Sequence, residues 1–217
     1  MKKISFLVIS TLVFFIQDCK DSTTEPSTNS ALIVLRGIIE NYTLSGRISL
    51  RMELDYRLTS SGKVDSIIVL DSTQVQPDGS FSMLLNNPPD ILLKQHNGLG
   101  CAGLIFSNDS IRTYSQSLFR LYEANQAIGS IYCSEKPYTN NYYVGEYFMY
   151  LMFSEDELSV TGNCGGGYHN DRMNLNLVKG WNVIVQRITE YTDTSLTTES
   201  VVDNSFKGNW IYQAYSN

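Results

Sequence analysis

The sequence predicts an all-β protein, and three observations carry that expectation. The stretch Arg47 to Leu58 (RISLRMELDYRL) alternates apolar and polar residues without a mismatch, which is the period of a strand with one buried face. Runs rich in Val, Ile, Tyr and Phe recur along the chain between clusters of Gly, Pro, Asn and Asp, the punctuation of strands and turns. No stretch of helical period exceeds about two turns; the best candidate, Ser115 to Asn125, reads equally well as strand. Composition agrees. Hydrophobic residues make up 42% of the 217, enough for a packed core, while charged residues make up 18%, below the roughly 25% of ordinary soluble domains.

The elements follow in chain order. Ala31 to Glu40 is an apolar, β-branched opening strand. In Arg47 to Leu58 the alternation puts Ile48, Leu50, Met52, Leu54, Tyr56 and Leu58 on one face. Ser60-Ser61-Gly62 turns the chain into a strand at Val64 to Leu70, and Gln76-Pro77-Asp78-Gly79 turns it again into Ser80 to Leu85. Asn86 to Asp90 (NNPPD) is excluded from a central strand because its prolines lack ladder donors. Leu118 to Glu123 and Ile128 to Cys133 are short strands. Glu146 to Phe153 (EYFMYLMF) is nearly continuously apolar, which suits a strand covered on both faces. Leu158 to Thr161 follows an acidic turn. In RMNLNLVKGWNVIVQRI, Met173, Leu175 and Leu177 share one face. Lys179-Gly180 is a turn with glycine supplying positive φ, and Trp181, Val183 and Val185 share the next face. Asn209 to Ala214 is the last strand.

Two resemblances rest on these segments. RGIIENYTLSGRISL with DSTQVQPDGSFSMLL resembles the transthyretin-like or carboxypeptidase-regulatory-like β-sandwich, an immunoglobulin-like two-sheet fold. The likeness covers about Leu32 to Leu85 and stops there, since the family's closing Pro-Gly-x-Tyr turn is not evident. It implies a scaffold rather than a reaction. The Leu-x-Leu-x-x-Gly-Trp-Asn-x-Val segment, following Thr-Gly-x-Cys, is similar to the C-terminal part of uncharacterised bacterial lipoproteins. The expected organisation is therefore an antiparallel β-sandwich over 31–95, followed by a second antiparallel sandwich or barrel over 100–217, with one continuous sandwich as the alternative.

The amino terminus sets location. Met1-Lys2-Lys3 precedes an uncharged apolar run from Ile4 to Ile16, short of the roughly 18 residues needed to span a bilayer and suited to a signal peptide. No alanine occurs before Ala31, and no small-x-small triplet follows the run, so an ordinary cleavage site is missing. The segment instead resembles a bacterial lipoprotein signal, with Cys19 as the lipid-modified residue and Asp18 standing where that pattern has Gly, Ala or Ser. Cys-Lys-Asp is similar to the surface-export signal of Bacteroidetes-type lipoproteins. Residues 1–18 then form the signal and 19–30 a polar, Pro-containing tether. The resemblance implies palmitate-type acylation and an outer-membrane site reached through the anchor, and the export-signal likeness implies the cell surface; a secreted or periplasmic protein is the alternative.

Few residues point to chemistry. With Cys19 acylated, Cys101, Cys133 and Cys164 remain, and a meander around Glu146 to Phe153 would pair Cys133 with Cys164. His96 near Cys101 suggests a thiol nucleophile with its base, but a Gly-rich loop joins them and a free buried cysteine is commonly inert. His169 is isolated, so no zinc site is expected. Gly165-Gly166-Gly167 reads as a loop rather than an anion cradle. Glu155-Asp156-Glu157, Asp71 and Asp78 lack the spacing of a calcium loop. No cofactor is expected. The formal net charge of −6 disfavours nucleic acid.

Aromatic residues are the remaining signal. Fourteen tyrosines occur, and Tyr138, Tyr142 and Tyr143 sit among Asn and Thr in PYTNNYYVGEYFMY. Tyr offers a flat apolar face with a polar tip, so these three are candidate contacts to a glycan or an envelope protein. The sequence supports a non-catalytic surface binding or structural module. Its alternatives are an accessory subunit of an envelope complex and a glycan- or peptide-processing enzyme using carboxylates from Asp71, Glu146 and Asp156. Cys19→Ala is expected to abolish incorporation of a clickable fatty acid in a Gram-negative host; label retained by the variant would remove Cys19 from the anchor.

Overall fold

The computed structural model describes residues 34–56, 66–95, 101, 103–117, 119–137 and 142–215. The signal, Cys19, the tether, His96 and Tyr138 lie outside the described residues. The protein is all-β. Two strands, β1 (Val34–Ile38) and β4 (Ser80–Leu84), form a small antiparallel sheet. The rest of the described strands join one large sheet. Its order is β3 (Ser66–Val75), β2 (Ile48–Tyr56), β7 (Phe119–Glu123), β8 (Gln126–Ser134), β9 (Tyr147–Ser154), β12 (Gly180–Thr192), β13 (Ser195–Val202), β11 (His169–Leu177), β10 (Leu158–Gly166) and β5 (Leu104–Phe106). Two further strands attach beside this path: β14 (Trp210–Ala214) pairs with β8, and β6 (Thr113–Gln116) with β9.

The boundary expected near 95–100 is crossed by hydrogen bonds. β2 pairs with β7 from Ile48 opposite Glu123 to Met52 opposite Phe119, and Lys94 bridges Thr113. The residues expected to form two domains thus share one sheet. They also share one core, in which Leu35, Phe81 and Met83 of the small sheet pack with Leu50, Leu121, Leu151 and Val183 of the large one.

A second core lies on the opposite face of β9 and β12. Leu158, Val160, Leu175 and Leu177 pack there with Met152 and Ile184. Along β9, Met149, Leu151 and Phe153 enter the first core while Met152 enters the second. That division explains why EYFMYLMF carries almost no polar residue: both faces of the strand are withdrawn from water. Each large apolar side chain buried this way contributes about 1.5–3 kcal/mol.

The turn after β11 is not a simple hairpin. β12 runs back from Gly180 (φ 98°), but β13 inserts between the two strands and pairs parallel with β11. Asn182, fully buried, holds the corner together. Its Oδ1 accepts the Val178 N–H at 2.9 Å, and its amide nitrogen donates to the carbonyls of Val178 and Gly180 at 2.9 and 3.0 Å. Those bonds satisfy backbone groups at the corner, where Val178 lies outside both strands.

The same insertion corrects the disulfide expectation. Cys133 does not pair with Cys164; Cys164 of β10 is bonded to Cys101, with Cα atoms 5.0 Å apart. In the sheet, β12, β13 and β11 stand with β9 between β8 and β10, so the strand ends carrying Cys133 and Cys164 are not neighbours. Cys133 is a free thiol in the first core, 2% exposed, and burial pushes its pKa to about 12. Closing a loop over a separation of 63 residues restricts the unfolded chain by about 4 kcal/mol in the chain-entropy account.

Trp210 locks the small sheet to the large one. It is 3% exposed, edge-on to Phe81 and Phe119 with centroids 5.2 and 5.5 Å away. Its backbone accepts from the Glu40 N–H at 2.9 Å. The ring lies directly over Gly37, where an added Cβ would stand 2.2 Å from Cδ1. Gly37→Ala is expected to displace Trp210 and cost about 1–3 kcal/mol, read as a lower urea midpoint; an unchanged midpoint would refute this packing.

Candidate functional site

A cleft of about 510 Å³ opens beside β9. Its origin is a gap in the ladder. On one edge of β9, β6 pairs with Leu151 to Ser154, the register ending at Gln116 opposite Leu151. β8 pairs only as far as Cys133 opposite Met149. Tyr150 falls between, and neither strand covers it. The cleft is walled by Tyr132, Phe148 and Tyr150, with Ser115, Ser117, Gln186 and Gln213 supplying hydroxyls and amides. No acid, imidazole, amine or guanidinium is among its lining residues. Cys133 lines it as well, but its raised pKa keeps the thiol protonated at neutral pH.

Two of the walls, Phe148 and Tyr150, are held from behind. Phe148 stands edge-on to Tyr142, centroids 6.3 Å apart, and Tyr142 in turn meets Tyr191 at 5.8 Å. Gln116 is spent on structure, accepting from the Tyr114 hydroxyl at 2.8 Å and donating to the Glu53 carbonyl at 3.1 Å. Beyond Tyr150 lies a buried polar network. Asp171, 4% exposed, accepts from Thr198 Oγ1 at 2.9 Å and from Ser200 Oγ at 3.0 and 2.9 Å. His169 Nε2 meets the Thr198 hydroxyl at 3.2 Å, and Ser200 also bonds Tyr150. Burial first, and then the Asp171 charge, push the Tyr150 phenol up to about 12.

The residues singled out in the sequence are distributed differently. Tyr142 supports the cleft wall, whereas Tyr143 is exposed, with the Lys136 ammonium 4.4 Å from its ring centre. Phe148, Tyr150, Gln186 and Gln213 are not legible as cleft residues in the sequence; Phe148 and Tyr150 stand out only as aromatics in the apolar run EYFMYLMF, and Gln186 and Gln213 carry no signal. The three candidate carboxylates are not brought together. Asp71 accepts from the Asn86 N–H at 2.9 Å and from its side-chain amide. Glu146, 1% exposed, pairs with Lys136 at 3.2 Å. Asp156 lies beyond the other end of β9 from Glu146, and the strand between them spans roughly 23 Å at about 3.3 Å per residue.

The other candidates are structural here. Glu155 is engaged by the Arg112 guanidinium, which holds its carboxyl below the usual range. Asp156 and Asp78 accept backbone N–H groups of their own turns. Gly165 and Gly166 belong to β10, and Gly167 makes the turn into β11 at φ 66°. No group of three or more metal-ligating residues occurs among the described residues. No helix of the described residues is long and apolar enough to cross a membrane.

Alkaline pH probes the buried tyrosines. Tyr114 and Tyr150 titrate near 12 when folded and near 10 when unfolded. The folded state therefore keeps protons that the unfolded state has lost, so stability is intact below about pH 10 and declines from there toward 12. Tyr150→Phe is expected to make that decline shallower in urea titrations; an unchanged slope would show that Tyr150 is not buried as described. The chain matches no protein-family model, no curated protein and no solved structure.

Proposed function

We propose that this chain is a lipid-anchored cell-envelope protein acting as a non-catalytic binding module, and that the cleft at Tyr150 takes a neutral, hydroxyl-rich ligand such as a glycan. The anchor rests on Cys19 and its polar tether. The ligand class rests on one observation: the cleft is lined by flat aromatic faces and by amide and hydroxyl groups, without an ionised side chain. Aromatic faces stack on the apolar side of a sugar ring, while amides both donate to and accept from its hydroxyls. Hydrolysis of a glycosidic bond instead needs two carboxylates about 5–10 Å apart, and this lining offers none.

A panel of neutral oligosaccharides titrated by calorimetry against the full mature chain tests the reading. Gln186→Ala is expected to weaken the best ligand about tenfold, the cost of about 1.4 kcal/mol for a lost buried hydrogen bond, and Tyr143→Ala to leave it unchanged. Binding that responds to Tyr143 but not to Gln186 would move the site to the exposed loop.

A further inference from the structure

The outer face of β3, β2 and β7 carries two arginines side by side. The register places Arg51 of β2 directly opposite Arg120 of β7. Like charges in that position repel. One carboxylate on this face, Glu53, is engaged by Arg120 at 2.9 Å and by the Tyr122 hydroxyl, and is itself 5% exposed. Arg51 receives no carboxylate among the described residues. Its guanidinium instead lies 4.1 Å above the Tyr122 ring and donates through one nitrogen to Asn125 Oδ1 at 3.0 Å. A guanidinium has five N–H donors in a planar fork, and the half-buried Arg51 has one hydrogen bond, to Asn125, among the described residues.

The residue that orients Arg51 sits in a turn whose other member, Ala124, is held in a costly conformation. Ala124 and Asn125 form the β7–β8 turn with φ of 46° and 70°. The left-handed region is ordinary for Asn but disfavoured for Ala. That turn places Asn125 at the wall of an open groove of about 910 Å³. Arg47 and Arg51 line it with Ser49, Ser72 and Gln74, and no carboxylate is among its lining residues. Glu123 stands at one end, behind Gly46. In a chain of net charge −6, this face is locally cationic. Arg47 and Arg51 are four residues apart on the same strand face, roughly 13 Å at about 3.3 Å per residue, with hydroxyl and amide groups between them.

We propose that this groove binds an acidic saccharide, with the Arg51 fork taking one carboxylate, Arg47 a second along the chain, and Ser49, Ser72 and Gln74 contacting the hydroxyls between. A preoriented guanidinium suits a planar carboxylate. The intervening groups suit a polyhydroxylated backbone better than a peptide, whose apolar side chains would find little here to cover them. The site is separate from the Tyr150 cleft and does not depend on it.

The test uses the full mature chain, titrated with an oligogalacturonate and with a neutral oligosaccharide of the same length, at low and at physiological salt. The oligogalacturonate is expected to bind, to weaken with salt as exposed ion pairs do, and to lose about tenfold in affinity with Arg51→Gln, one charge-assisted contact being worth that much. Arg47→Gln, at an exposed position that no packing requires, is expected to weaken it likewise, so a folding defect at Arg51 would not mask the result. Gln186→Ala is expected to leave this binding intact, which separates the groove from the cleft. In the Gln186→Ala chain, equal binding of the neutral oligomer, no binding of the acidic one, or tighter binding of a Glu-rich peptide would each overturn the assignment.

Discussion

The ladder between β9 and β12 is the constraint on which the rest of the structure depends. It is the wall common to two cores. Leu151, Phe153, Trp181 and Val183 face the core that includes the small sheet. Met152 and Ile184 face the core closed by β10 and β11. A strand pair buried on both faces tolerates no register slip, because a shift of one residue would exchange the contents of the two cores. Two polar groups of this wall have fixed partners: the Asn182 amide at the corner, and the Trp181 indole N–H donating to the Asn86 carbonyl at 2.7 Å.

The cleft is a consequence of that wall. β9 is longer than the segments available to cover its free edge, so β6 and β8 share it and leave Tyr150 between them. The opening therefore lies on a rigid strand rather than in a loop, with its aromatic walls fixed by ring contacts behind them. A site of this kind is preorganised, so little conformational entropy is lost when a ligand enters. The hydroxyl-satisfied Asp171 beneath it stiffens the floor without bringing charge to the surface.

The outer face of β2 shows the opposite arrangement. There Arg47 is exposed and Ser49 and Arg51 are half-buried, and the ordering comes from a turn with an unfavourable backbone angle at Ala124 and from a ring stacked under a guanidinium. Glu53 belongs to the polar phase of the β2 alternation, yet it is buried because Tyr122 and Arg120 close over it. An alternation pattern reports which face a residue points to, not whether neighbouring side chains then cover that face.

The sequence by itself determined what depends on local order. Ile48, Leu50 and Met52 alternate and are buried together; EYFMYLMF is apolar throughout and is covered on both sides; Gly180 turns the chain at positive φ. Periodicity and turn chemistry are properties of adjacent residues, so they can be read without knowing the fold. Short or polar strands were not legible for the same reason. β5 is apolar but only three residues long, and β6 and β13 carry little apolar signal; in β13 Thr197, Thr198 and Ser200 are buried by partners from β11 and β12. Only the tertiary structure decided strand order. The insertion of β13 beside β11 separated Cys133 from Cys164 and joined Cys164 to Cys101. The pairing of β2 with β7 merged what the linear sequence divides. The cleft exists because β6 and β8 meet one edge of β9 at different places. Each of these outcomes is set by pairing between residues far apart in the chain, and such pairing leaves no mark in the order of the residues alone.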